Sequence, residues 1–213
     1  MRIRTIACLI PVHLLAFAVP AASEPDDGNW TPGEKGQGHG YTYQVFKQQK
    51  EGEPFVRYQI VGTIDAEPAV LTRTARDISR DPKRAPEGQT REVILATENE
   101  TILHTSIDLP MMFSDRDVVT RGVGSVDPNT GIGRIDFKSI EHPAAPPKPG
   151  FIRLTQTAGH WEFVPDGAKH SKATFETYVD LGGSLPGWLV SGMMASNVLG
   201  QYEQVAKEAT KNP

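Results

Sequence analysis

Most of the chain after residue 40 consists of short runs rich in β-branched and aromatic residues, separated by Gly, Pro, Asp and Asn. This pattern predicts β-strands joined by turns. In Gly133–Ile140, charged residues alternate with apolar ones, which indicates a strand with one wet and one buried face. The predicted strands are Tyr41–Gln48, Phe55–Ile64, Thr90–Thr97, Thr101–Leu109, Asp117–Val126, Gly133–Ile140, Phe151–Phe163 and Ala173–Asp180.

The connections between these strands predict an antiparallel sheet. Glu98–Glu100 and Asp127–Ile132 contain the Asn and Gly residues that tight turns require, because these residues accept a positive φ. Short connections of this kind join strands that run in opposite directions. Consecutive hairpins are therefore expected over much of the chain.

Two helices interrupt the predicted strands. Residues 67–76 form a short one, with Pro68 in its first turn. A longer helix is expected from a cap at Ser184 to about Thr210. Along it, several residues recur at steps of four and three and so share one face. These residues are Trp188, Gly192, Ala195, Leu199, Tyr202 and Ala206. The centre of this face is small, which predicts either close backbone packing or unfilled space beneath the helix.

The first 23 residues have the pattern of a secretory signal peptide. Arg2 and Arg4 precede an apolar stretch over Ile6–Val19, and small residues follow it up to Ser23. The apolar run is shorter than the roughly 20 residues of a spanning helix, which favours cleavage over retention as an anchor. We therefore expect a secreted, periplasmic protein.

The signal peptide is followed by a segment of different composition at 24–40. This segment is rich in Gly, Pro and Asp, shows no period, and is predicted to be a flexible leader. The folded domain is then expected at 41–210. The single cysteine, Cys8, lies in the signal peptide, so we expect no disulfide and no cysteine-based metal site in the mature chain.

Composition and motifs exclude several classes of function. The 213 residues carry a formal net charge of −4, which gives no basic footprint for nucleic acid. The histidines lack H-E-x-x-H spacing, and no phosphate-binding glycine loop is present. We therefore expect no metal, no cofactor and no nucleic-acid partner.

Three local sequences, in this order, resemble those of START (steroidogenic acute regulatory-related lipid transfer) domains. They are Phe113–Val119 (FSDRDVV), Gly159–Pro165 (GHWEFVP) and Tyr178–Leu189 (YVDLGGSLPGWL). The order of predicted elements is also similar to that family, and the resemblance extends over nearly all of the mature chain. It implies the α+β helix-grip fold of the Bet v 1-like superfamily. In that fold a curved antiparallel sheet wraps around a long C-terminal helix and encloses a cavity for one lipid, sterol or other hydrophobic molecule.

The resemblance also implies where ligand-binding residues lie. It points to Asp108 and Arg121 as polar groups inside the cavity, whereas the residues taken by themselves favour an exposed carboxylate and an exposed guanidinium. Aromatic residues and the long helix supply further candidates, each of which also fits an ordinary core position. These candidates are Phe137, Trp161, Phe175, Tyr178, Trp188, Gly192, Met193, Ala195, Leu199 and Tyr202.

The expected function is the binding of a hydrophobic small molecule, with its transfer and a transient membrane contact as further expectations. Entry would require the long helix or the loop His142–Gly150 to move. The alternative is a small cyclase- or hydrolase-type enzyme that uses the same cavity, with His104 as the candidate base. A third hypothesis is an interaction domain with a filled core.

Overall fold

The computed structural model describes residues 30–49, 55–110, 112–183 and 185–211. The predicted signal peptide at 1–23 and the predicted helix cap at Ser184 lie outside the described residues. The side chain of Trp188 lies outside them as well. None of the helices in these ranges is long and apolar enough to span a membrane.

Ten strands and two long helices make up the described part of the chain. The strands are β1 (Thr31–Gly38), β2 (Tyr41–Gln48), β3 (Arg57–Ile64), β4 (Gln89–Ala96), β5 (Glu100–Ile107), β6 (Asp115–Val126), β7 (Gly133–Ser139), β8 (Phe151–Arg153), β9 (Thr157–Pro165) and β10 (Ser171–Val179). Helix α1 (Pro68–Arg80) lies between β3 and β4 and is followed by a short 3-10 turn, and helix α2 (Gly187–Ala209) follows β10.

All the strands belong to one sheet. Nine of them lie side by side in the order β1-β2-β3-β10-β9-β7-β6-β5-β4, and every neighbouring pair on this path is antiparallel. The short strand β8 pairs with the start of β6 in parallel. Helix α2 packs on β2 and β3 and contacts α1, which itself crosses β5, β6, β7 and β9. The expected α+β helix-grip fold is therefore confirmed.

The flexible leader predicted at 24–40 is wrong for Thr31–Gly38, because this segment is β1 and pairs with β2. The tyrosine rings of β2 explain why β1 contains glycines. The rings of Tyr41 and Tyr43 lie over Gly38 and Gly36, where a Cβ atom would collide with them. A strand that holds glycines for this reason shows no hydrophobic alternation, and the sequence pattern therefore misses it.

The single strand predicted at Phe151–Phe163 is also wrong. The chain forms β8, leaves the sheet at residues 154–156, and returns as β9. The break follows from two different pairings, since β8 lies beside β6 while β9 lies between β7 and β10. Helix α1 in turn extends one turn beyond the predicted end at Arg76, because Ile78 is still buried, and it ends before Pro82.

The buried face of α2 is rotated from the predicted one. The residues of α2 that are buried are Met194, Val198, Tyr202, Val205, Ala206 and Ala209. Among the residues of the predicted stripe whose side chains are described, Gly192 is exposed, and only Tyr202 and Ala206 are fully buried. The first half of the helix has apolar residues on most sides, so that its period does not define one face.

Two glycines allow the helices to approach the sheet closely. A Cβ atom at Gly133 would collide with Oγ1 of Thr72 on α1. A Cβ atom at Gly62 would lie 2.6 Å from the hydroxyl of Tyr202 on α2 and would also collide with a backbone carbonyl of β2. These two contacts thus fix both helices against the sheet, and other side chains occupy the region between the contacts.

Candidate functional site

A cavity of about 240 Å³ lies between the inner face of the sheet and the two helices. A single enclosed water molecule needs only ~10–15 Å³ on this measure, so that the interior is not solidly packed. Alternate residues of β5 and β6 point into the cavity, as strand geometry requires. They include Leu103, Thr105, Val118 and Thr120.

Aromatic rings form one wall of the cavity. Trp161 of β9 and Phe175 of β10 are stacked nearly parallel, with ring centroids 4.1 Å apart. The ring of Phe137 on β7 lies 6.3 Å from that of Phe175. Helix α2 faces this wall with Met193 and Met194, whose flexible thioethers can adapt to an irregular ligand. This part of the cavity is therefore apolar and able to adjust.

Four of the residues predicted from sequence line the cavity, namely Phe137, Trp161, Phe175 and Met193. Two further candidates, Ala195 and Leu199, are half-buried and pack against the main core beside it. Gly192 does not line the cavity, because it is exposed and nothing lies within 4 Å of the position a Cβ atom would take. Trp188 is the candidate whose side chain lies outside the described part of the chain.

The two polar candidates do not line the cavity. Asp108 follows β5 and is exposed. Arg121 lies on the outer face of β6, where its Nε donates to Oε1 of Glu100 at 2.6 Å. The physical reason is strand alternation, since Thr120 and Gly122 point inward and Arg121 between them must point outward. Their predicted place inside the cavity is therefore wrong.

The two tyrosine candidates are not part of the cavity lining either. Tyr178 lies on the outer face of β10, stacked on Phe55 with ring centroids 4.8 Å apart. Tyr202 is fully buried beside the cavity, and its hydroxyl donates to the carbonyl of Thr42 at 3.0 Å. Burial raises the pKa of Tyr202, so this hydroxyl stays protonated and serves as a structural donor.

The side of the cavity formed by α1 and β4 is polar. Arg76 and Ser79 of α1 line it together with Gln89 and Arg91 of β4. Nη1 of Arg91 donates to the carbonyls of Ile78 and Ser79, both at 3.1 Å, at the C-terminal end of α1. Burial lowers the pKa of Arg91, but a guanidinium remains charged at neutral pH.

These polar residues were not predicted from sequence. The expected helix ended at Arg76, and the predicted strand began one residue later than β4 does. Neither pattern showed which side of β4 faces the interior. Arg91 lies between Thr90 and Glu92 and gives no signal of its own, since Arg is usually exposed.

One buried hydroxyl at the cavity has no hydrogen-bond partner among the described residues. Oγ1 of Thr157, at the start of β9, is buried and unpaired, whereas its backbone N–H donates to Oγ of Ser139 at 3.2 Å. A buried hydroxyl without a partner costs about 1–3 kcal/mol. It could therefore donate to a polar atom of a bound molecule.

His104, the candidate base, faces away from the cavity. Its Nε2 lies 2.8 Å from Oδ2 of Asp117 on the outer face of the sheet, and its neighbours Leu103 and Thr105 are the residues that point inward. Nε and Nη2 of Arg153 donate to the two oxygens of Asp117, at 3.0 and 2.7 Å. The three side chains form a buried hydrogen-bonded network that joins β5 and β6 to β8.

Arg153 extends this network to the loop His142–Gly150. Its Nη2 donates to the carbonyl of Ala145 at 3.0 Å, and Ala145 is buried against Ile102 and Val119 on the outer face. The loop therefore covers the side of the sheet opposite to the cavity. Of the two elements expected to move for ligand entry, α2 lines the cavity, whereas this loop does not.

The pKa of Asp117 reflects a balance of two effects. Burial alone would raise it, but the hydrogen bonds from Arg153 and His104 outweigh burial and lower it below the ordinary value. The carboxylate is thus charged, and its oxygens accept hydrogen bonds.

Among the described residues, no group of three or more His, Cys, Asp or Glu side chains is arranged to hold a metal ion.

The chain matches no family model. An uncharacterized protein of Pseudomonas aeruginosa is 22% identical to it over 173 residues, which cover 79% of this chain and 82% of that protein. This similarity extends through most of both chains but comes with no described activity.

Solved structures show the fold more clearly. A STAR-related lipid transfer protein from Xanthomonas axonopodis has a TM-score of 0.68 and 21% identity, with 85% of this chain and 98% of that chain covered. Human StAR-related lipid transfer protein 5 has a TM-score of 0.66 and 21% identity, covering 88% and 89%. An aromatase/cyclase from a Streptomyces species has a TM-score of 0.52 and 12% identity, covering 74% and 94%. The chain thus has the helix-grip fold of START domains.

The outer network predicts a large stability difference between two arginine variants. Arg153→Met leaves the fully buried Asp117 without its bidentate partner, and we expect it to lower the free energy of unfolding by about 3–5 kcal/mol. The matched control is Arg121→Met, which removes an exposed ion pair on the same face and should change it by less than about 1 kcal/mol. Urea unfolding of both variants checks this, and equal losses would contradict the assignment.

Proposed function

We propose that this protein binds a hydrophobic small molecule, such as a lipid or a sterol-like compound, in the cavity between the sheet and the helices. The observation that carries the proposal is the cavity itself, whose surface is mainly apolar and which is bounded by the Trp161–Phe175 stack. Burying apolar ligand surface there would contribute about 25 cal/mol per Å². Such a cavity is a typical small-molecule site.

The structural similarities support this choice of ligand class. Two of the similar structures are named as lipid transfer proteins, and they share the fold over most of their length. Fold alone does not determine function. For this chain, the argument therefore depends on the residues that line its own cavity.

Catalysis in the same cavity is the second candidate, and the shared fold of an aromatase/cyclase is the observation that favours it. The cavity lining argues for binding instead. Among the described residues that line it there is no His, Asp, Glu, Cys, Lys or Tyr, so that the hydroxyl of Ser79 and those of the lining threonines have no general base beside them to activate them. His104, the one base considered from sequence, points to the opposite face of the sheet.

Filling the cavity should abolish binding without unfolding the protein. Gly122 points inward from β6, and a Cβ atom there would meet nothing closer than 3.9 Å, so the side chain of Gly122→Leu would enter the cavity. We expect at least a tenfold weaker affinity for the neutral dye N-phenyl-1-naphthylamine, measured by fluorescence titration. Native mass spectrometry should also show less co-purifying lipid.

The control for this variant is Val123→Leu. Val123 is the next residue of the same strand, faces outward and is 41% exposed, so that leucine there leaves the cavity unchanged. Its dye affinity should match that of the unaltered protein. Equal affinity of all three proteins, or no dye binding by any of them, would overturn the proposed function.

We propose secretion to the periplasm on the strength of the N-terminal sequence. Arg2 and Arg4 followed by the apolar stretch Ile6–Val19 are the support for it. Expression of the full chain in a Gram-negative host should give a periplasmic protein whose N-terminus begins near residue 24. Recovery of an uncleaved chain from the cytoplasm would contradict this proposal.

We further propose a transient membrane contact during ligand exchange, through the loop before β6. Met112 in this loop is 85% exposed. The buried Arg116 joins the loop to the segment before α2, because it donates to the carbonyls of Ser114, Leu181 and Gly182. The exposed apolar side chain of Met112 therefore belongs to a loop that Arg116 ties to the segment leading into α2.

The membrane contact predicts a selective effect of one charge. Met112→Glu should lower the amount of protein that co-sediments with phosphatidylethanolamine–phosphatidylglycerol vesicles by at least threefold, because a carboxylate resists entry into the interface. The control Val126→Glu introduces the same charge at a 37% exposed position at the end of β6 and should leave co-sedimentation unchanged. Equal effects, or no vesicle binding at all, would count against the contact.

A further inference from the structure

The charges around the cavity are unequally distributed. Arg76 and Arg91 line it from α1 and β4, and no Asp or Glu of the described residues is part of the lining. Arg80 lies directly behind, where its Nε donates to Oγ1 of the cavity residue Thr101 at 2.7 Å. One side of a mainly apolar cavity is thus positively charged, whereas the chain as a whole has a formal net charge of −4.

Neither of the two lining arginines has a carboxylate as a hydrogen-bond partner. Arg91 donates only to the backbone carbonyls of Ile78 and Ser79. Arg76 donates from Nη1 to the carbonyl of Glu98, while its Nε is buried and has no hydrogen bond. The nearest carboxylate oxygen to that Nε is on Asp77, 3.9 Å away and beyond hydrogen-bond distance.

Arginines on the outer face of the protein are arranged differently. Arg121, Arg134 and Arg153 each donate to a carboxylate at 2.6–2.9 Å. Burying a charged group away from water costs free energy unless an opposite charge pairs with it. The arginines that border the cavity are compensated only in part, because Asp77 lies 3.9 Å from Nε of Arg76 and Asp81 acts on Arg91 without a hydrogen bond. A ligand with an anionic group would complete this compensation.

We propose that the ligand is an amphiphile with an anionic head group, a carboxylate or a phosphate, which binds at the α1 side of the cavity to Arg76 and Arg91. This inference rests on the proposed function and specifies the class of ligand. The apolar tail lies against Phe137, Trp161 and Phe175, on the wall opposite the arginines. Guanidinium groups suit this head, because they donate two parallel hydrogen bonds to carboxylate or phosphate oxygens.

The head group can be tested on the unaltered protein with ligands that share one tail. Isothermal titration calorimetry compares decanoate, decyl phosphate and decanol, with acetate and inorganic phosphate as anions that have no tail. We expect decanoate and decyl phosphate to bind at least tenfold more tightly than decanol. Acetate and inorganic phosphate should bind at least tenfold more weakly than the anions with tails, since they gain no apolar burial.

Variants then locate the head group. Arg91→Met and Arg76→Met keep a long apolar side chain and remove the charge, and each should reduce the preference for decanoate over decanol to less than threefold. Affinity for decanol should stay within twofold of the original, which shows that the cavity is still formed. Arg73→Met is the matched control, because Arg73 lies on the exposed side of α1 and does not line the cavity.

The outcomes separate this inference from the proposed function. Tight binding of decanol and decanoate with equal affinity would overturn the anionic head group and leave hydrophobic binding in place. Binding of acetate or inorganic phosphate as tight as decanoate would overturn the amphiphile and indicate a plain anion site. Failure of every ligand with a tail to bind would overturn both the inference and the proposed function.

Discussion

The width of the sheet is the constraint from which the interior of this protein follows. Nine strands lie side by side at a spacing of about 4.8 Å, which gives an inner face close to 40 Å wide. Helix α1, with 13 residues, spans only about 20 Å of this width where it crosses the strands, and each helix covers a band about 10 Å wide, so the two helices do not cover such a face. Helix α2 packs on β2 and β3, and α1 crosses the strands from β5 to β9, so that the remaining inner surface borders a cavity. The glycines at positions 62 and 133 fix the two helices where they approach the sheet most closely.

The outer face of the same sheet is closed by different means. Its strands carry a buried charged network in which Asp117 joins His104 to Arg153, and Arg153 holds the loop His142–Gly150 over Ile102 and Val119. Carboxylate, imidazole and guanidinium groups that are fully paired in this way keep a loop in one position. His104, Asp117 and Arg153 are the ionisable side chains that a search for catalytic residues would select first. Here they stabilise the sheet that forms one wall of the cavity.

Much of the fold could be predicted from sequence, whereas most of the site could not. Alternation and turn residues located both helices and seven of the ten strands in the described residues, because these signals are local. The direction of each side chain depends on register, and one residue of shift exchanges the two faces of a strand. The resemblance placed Arg121 inside, whereas the register of β6 turns its neighbour Thr120 inward, and no local signal selected Arg91. The predicted buried face of α2 is rotated from the observed one, because the first half of this helix is apolar on most sides.

The first strand has a consequence for how molecules of this protein meet one another. β1 forms one edge of the sheet and contains Pro32, Lys35 and several glycines, with a register irregularity between Pro32 and Lys35. A proline offers no N–H group, a lysine charge resists stacking, and an irregular backbone is a poor template for a further strand. A sheet edge of this kind discourages the edge-to-edge assembly of molecules into fibrils, although the same protein contains an apolar cavity.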